Sequence, residues 1–68
     1  MKVEFERYVN ATKGFPLEFE DNEYDGYDTS DIQNAGLYKT KEEAMQELER
    51  FDSPDTRQII KVKITYEF

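Results

Sequence analysis

The chain has 68 residues, no cysteine, no histidine and a net charge of −7, the makings of one small domain near the lower size limit for folding without staples. Disulfides and zinc sites with the usual nitrogen and sulfur ligands are excluded, so apolar packing must hold the fold. The opening residues MKVEFERYVN lack the apolar run of a secretory leader, and no run approaches the ~20 residues of a membrane span. The expectation is therefore a cytoplasmic protein without membrane contact.

Residues 2–9, KVEFERYV, alternate with period two: Val3, Phe5, Arg7 and Val9 share one face, and Lys2, Glu4, Glu6 and Tyr8 the other. This pattern predicts a half-buried strand. After the turn-rich NATKG, the segment FPLEFE alternates again, with Phe15, Leu17 and Phe19 opposite Glu18 and Glu20. An antiparallel hairpin is the simplest joining of the two. Pro16 lacks a backbone donor, which argues for an edge strand. Residues 18–36 form an acidic loop in which YDGY predicts a tight turn at Asp25–Gly26. A hairpin there would set Glu23 opposite Asp28, a like-charge pair. SDIQ suits a single helical turn ending at Gly36, and GLYK could add a short strand.

Thr40 followed by Glu43 is a capping box that predicts a helix. Ala44, Met45, Leu48 and Phe51 fall on one side of it, and Pro54 stops it. Residues 57–68, RQIIKVKITYEF, alternate once more, with Ile60, Val62, Ile64, Tyr66 and Phe68 on one face. The order β-β-loop-(β)-α-β predicts an α+β domain spanning 1–68: a two-layer fold in which one amphipathic helix covers an antiparallel-rich sheet of three to four strands. The expected core is Val3, Phe5, Leu17, Leu48, Phe51, Ile60, Val62 and Ile64.

Catalysis is disfavoured. A nucleophile needs an activating base, and the only serines, Ser30 and Ser53, lie in predicted turns. The segment DNEYDGYDTSDI resembles the first half of an EF-hand calcium loop through Asp21, Glu23, Asp25 and Gly26. Its twelfth position is Ile32 instead of the bidentate glutamate, so neither a metal site nor a cofactor is expected. Direct nucleic-acid binding is disfavoured because phosphate affinity comes from Lys and Arg. The one basic row, Arg57, Lys61 and Lys63, reads as a solvated strand face.

Charge distribution is the informative feature. Seven acids (Glu18, Glu20, Asp21, Glu23, Asp25, Asp28 and Asp31) lie between Lys13 and Lys39 without a base, and the remainder of the chain balances nine acids against nine bases. Residues two apart on a strand lie ~6.6–6.8 Å from each other, and DNA presents a phosphate each ~3.4 Å of axis on each strand. Such a row could stand in for a run of phosphates on a basic protein surface. Tyr24 and Tyr27 would add amphipathic contacts of the type enriched at interfaces.

In size, charge and lack of catalytic residues the chain resembles small acidic proteins of bacteriophages and mobile elements that block nucleic-acid-binding defence enzymes. What this implies is a non-enzymatic inhibitor of the anti-CRISPR or anti-restriction type, acting by nucleic-acid mimicry. The alternative is an assembly module that contacts a partner, or its own copy in a homodimer, through sheet edges, with the acidic loop only keeping it soluble.

Overall fold

The structure is a computed structural model that describes all residues except Asp25 and Asp52. It contains strand β1 (Lys2–Thr12), β2 (Phe19–Glu20), β3 (Asp28–Thr29), a 3-10 turn (Ile32–Asn34), helix α1 (Lys41–Leu48), a second 3-10 turn (Pro54–Thr56) and β4 (Arg57–Glu67). The strands form one antiparallel sheet in the order β3-β2-β1-β4. One helix with a four-stranded antiparallel sheet is the expected α+β architecture.

The two long alternating segments pair with each other along their whole length. The register runs from Lys2↔Glu67 to Thr12↔Arg57 without a bulge. Directly opposed residues share a face, so Val3, Phe5, Arg7 and Val9 stand beside Tyr66, Ile64, Val62 and Ile60. The alternation keeps the phase expected from the sequence: Val62 is half-buried between the exposed Lys61 and Lys63.

The second strand is shorter than its pattern suggests and lies inside the sheet. It meets β1 at Ala11↔Phe19 only, and β3 takes the edge. Pro16 sits in the connecting loop, where its missing donor has no consequence for the ladder. Thr12 closes that loop: its Oγ1 accepts the Glu18 N–H and donates to the Pro16 carbonyl. GLYK supplies one bridge, Tyr8↔Tyr38, and Ala35 another with Asp21.

Helix α1 starts as expected, with Thr40 Oγ1 accepting the Glu43 N–H. It ends earlier, at Leu48, and the following residues tighten into i→i+3 bonds up to Phe51. An eight-residue helix is about 12 Å long, whereas an eleven-residue strand spans about 36 Å, so α1 cannot cover the ribbon. The molecule is accordingly elongated, 42 × 23 × 21 Å.

This geometry corrects the expected core. Val3 and Leu17 are 42% and 44% exposed, and none of the eight expected residues is fully buried. The buried residues among those described are Val9, Ala11, Ala35, Gly36 and Ala44, with Asn10 and Arg57 among them. Phe51 lies on the guanidinium of Arg57, 4.2 Å from carbon to ring centre. Arg57 belongs to the face opposite Ile60, Val62 and Ile64, so the end of the helix packs on the side of the sheet that the sequence pattern marks as polar.

Candidate partner-binding surface

The acidic segment folds into the β2–β3 hairpin at one edge of the sheet, followed by the first 3-10 turn. The turn between the strands contains Gly26 at φ 82°, a left-handed conformation that glycine adopts without steric cost, and the Tyr27 N–H bonds the Tyr24 carbonyl. Asp25, the other half of the expected turn and one of the expected partner-binding residues, lies outside the described residues.

The hairpin sets Glu20, not the expected Glu23, opposite Asp28, because the strands pair at Phe19–Glu20 and the loop between them is longer than a two-residue turn; the pair is still one of like charge. Each carboxylate has its own partner, which offsets the repulsion. Asp28 accepts two bonds from Arg57, from Nη1 at 3.0 Å and Nη2 at 2.9 Å. Glu20 Oε1 accepts the hydroxyl of Tyr38. Burial, then the bond to Glu20 and its charge, push the Tyr38 phenol well above the usual range.

Arg57 is the anchor of this end of the molecule. Its side chain is 8% exposed and reaches from β4 across β1 and β2 to β3. On the way its Nε donates to Asn10 Oδ1 at 2.7 Å. That bond orients the Asn10 amide and leaves Nδ2 without an acceptor among the described residues. The expectation of a solvated Arg57 is therefore corrected, whereas Lys61 and Lys63 are exposed and pair with Glu6 at 3.2 Å and Glu4 at 2.8 Å. The sequence places Asn10 in the turn-rich NATKG, whereas β1 runs on to Thr12 and buries Asn10 and Ala11; nothing in it pointed to Arg57 or Tyr38.

Two more of the expected site residues hold local structure. Asp21 Oδ1 accepts the N–H groups of Glu23 and Tyr24 at 2.7 and 3.2 Å. Asp31 caps the 3-10 turn by accepting the Gln33 N–H. Among the described residues no group of three carboxylates is placed to hold a metal ion. Glu18 is half-buried, and its backbone is tied to Thr12 through both N–H and C=O. Glu23 is exposed, as are Tyr24 at 63% and Tyr27 at 69%.

Comparison with protein-family models, curated proteins and solved structures finds no match. Every role assigned to a residue therefore rests on geometry alone. The hairpin edge divides the expected site in two. Glu20 and Asp28 are engaged by Tyr38 and Arg57, whereas Glu23, Asp31 and the two tyrosines are exposed and Glu18 and Asp21 are half-buried without an ion-pair partner among the described residues. Beside the engaged pair is a cleft of about 230 Å³ lined by Glu20, Gly26, Glu47, Arg50 and Phe51. No helix is long and apolar enough to cross a membrane among the described residues.

Proposed function

We propose that the chain is a small non-enzymatic binding protein that places its β2–β3 edge on a basic, nucleic-acid-binding surface of a partner protein. The concrete form is an inhibitor of a host defence nuclease of the kind carried by phages and mobile elements. The observation that carries this reading is the concentration of the whole net charge in residues 18–31, which fold into one sheet edge beside exposed Tyr24 and Tyr27. A local field of one sign attracts a basic surface and speeds encounter. The tyrosines offer rigid, amphipathic area for the contact that follows.

The test must remove charge without removing support. Glu20 and Asp28 are unsuitable because they hold Tyr38 and Arg57. The informative variant is Glu18→Gln, Asp21→Asn, Glu23→Gln and Asp31→Asn, since asparagine keeps the oxygen with which both aspartates cap their turns. Nucleic-acid-binding proteins retained by the immobilised chain from a bacterial lysate should be released by duplex DNA or RNA and by added salt, and the quadruple variant should not retain them. Equal retention by the variant, or a partner that holds nucleic acid and this chain together, overturns the reading.

A further inference from the structure

The edge opposite the acidic hairpin is formed by β4, and nothing in the sheet pairs with it. The direction of its backbone groups follows from the terminal bonds. Phe68 and Met1 exchange bonds across the ribbon, so Phe68, Tyr66, Ile64, Val62 and Ile60 point their N–H and C=O groups inward to β1. Ile59, Lys61, Lys63, Thr65 and Glu67 point theirs outward, unpaired by any other backbone group among the described residues. Strands at sheet edges are blunted by proline, a bulge, an inward-facing charge or exposed lysines. This strand carries the last, Lys61 and Lys63, but no proline or bulge: one face is Ile60, Val62, Ile64 and Tyr66, and its pairing with β1 is regular throughout.

We infer that β4 is a self-recognition edge, pairing antiparallel with β4 of a second copy about a two-fold axis at Ile64. Such an interface uses the same patch on both copies and closes at a dimer. The charges choose the register. Pairing must oppose residues that lie on the same face of the sheet, which permits only alternate registers. An axis at Lys61 or Lys63 puts that lysine against its own copy, and an axis at Val62 puts Lys61 against Lys63. An axis at Thr65 joins only residues 62–68. With the axis at Ile64, residues 60–68 of both strands pair, Lys61 faces Glu67 of the second copy, and Lys63 faces Thr65. Glu67 has no ion-pair partner within the chain among the described residues.

The same register satisfies the apolar face. Val62 meets Tyr66 of the second copy, Ile60 meets Phe68, and Ile64 meets itself on the axis. Tyr66 and Phe68 are 55% and 82% exposed in the single chain. Tyr66 lines a groove of about 450 Å³ together with Ile32, Leu37, Val62, Ile64, Gln33 and Lys63. The edge lies across the sheet from β3, so the dimer and the proposed partner surface stand or fall separately.

Sedimentation velocity on the full chain should show a dimer at concentrations of about 100 μM, where a modest edge interface assembles. Thr65→Pro removes one outward N–H and none that bonds β1, so it should give a folded monomer by circular dichroism. Lys61→Glu and Glu67→Lys should each weaken dimerisation about tenfold, because two symmetric pairs turn repulsive at once. The double variant Lys61→Glu, Glu67→Lys should restore it, whereas Lys63→Glu with Glu67→Lys should not. Residues 61 and 67 are too far apart on one strand to pair, so rescue must come from another molecule. A monomer at this concentration, a species that grows beyond the dimer, or a dimer indifferent to the charge swap overturns the inference.

Discussion

At the inner end of the β1–β4 ribbon, a buried arginine binds an aspartate and an asparagine under a phenylalanine ring. At the outer end, Lys2, Glu4, Glu6, Lys61 and Lys63 form a ladder of ion pairs in the open. Both ends are built from the same alternation of charged and apolar residues. What separates them is length: the eight-residue helix reaches only the end near Val9 and Ala11, where burial is complete. The same residue chemistry is thus structural at one end and solvated at the other. In the interior an unpaired charge is costly and a paired one specifies geometry. On the surface, water and salt screen most of the interaction.

The largest expected effect is at the inner end. Arg57→Ala removes both donors to Asp28, the donor to Asn10 and the cation over Phe51 in one step. Breaking a buried pair costs about 3–5 kcal/mol; Asp28 retains some contact with water, which places this variant near the lower figure. Stability of a small domain is of similar size, so urea unfolding monitored by circular dichroism should show the transition at much lower denaturant or lost. A shift no larger than that of a surface lysine variant would remove Arg57 from the role of anchor.

Leu48→Ala should cost less, about 2 kcal/mol, because Leu48 is half-buried and its site can partly fill with water. The same unfolding measurement checks the order. If Leu48→Ala proved the more damaging change, apolar packing under the helix, and not the arginine network, would be the main tie of the inner end.

The elements of the fold were legible because their signals are local. Thr40 and Glu43 marked the helix start, and the alternation of 2–9 and 57–68 marked both long strands with the right faces. Their pairing with each other was not legible, since it joins opposite ends of the chain and depends on where the helix lies. The core was misjudged for the same reason. Periodicity says which face of a strand is apolar, but an eight-residue helix decides how much of that face is covered. The acidic segment was readable as a charge cluster. The engagement of Glu20 and Asp28 was not, because their partners Tyr38 and Arg57 come from distant parts of the chain.

A smaller effect is expected where the inner end meets the acidic hairpin. Tyr38→Phe removes one hydrogen bond to Glu20, worth about 1–1.5 kcal/mol. The bond also has a pH signature. Because the folded chain holds the Tyr38 proton more tightly than the unfolded chain, its stabilisation is complete below the usual tyrosine value of about 10 and is lost as pH rises above it. Ultraviolet titration should show Tyr38 ionising after the other tyrosines, with that last step absent in Tyr38→Phe. Ionisation of all tyrosines together would mean that the contact with Glu20 is not kept in solution.

The smallest effect belongs to the outer ladder, and its smallness is what makes it informative. Bonds from Lys63, then Lys2, hold the Glu4 carboxyl below its ordinary range, so any stability it adds is present at neutral pH and fades as acid protonates it. The pairs are solvated, and Glu4→Gln should leave the urea unfolding midpoint essentially where it is in the native chain. Carbon-detected NMR titration should find Glu4 titrating below the ordinary glutamate range, and 1 M salt should move it back toward the ordinary value as the screening length falls to about 3 Å. A depressed value that survived high salt would place Glu4 in a sheltered environment. The outer end of the ribbon would then be covered in solution, and the contrast between its two ends would disappear.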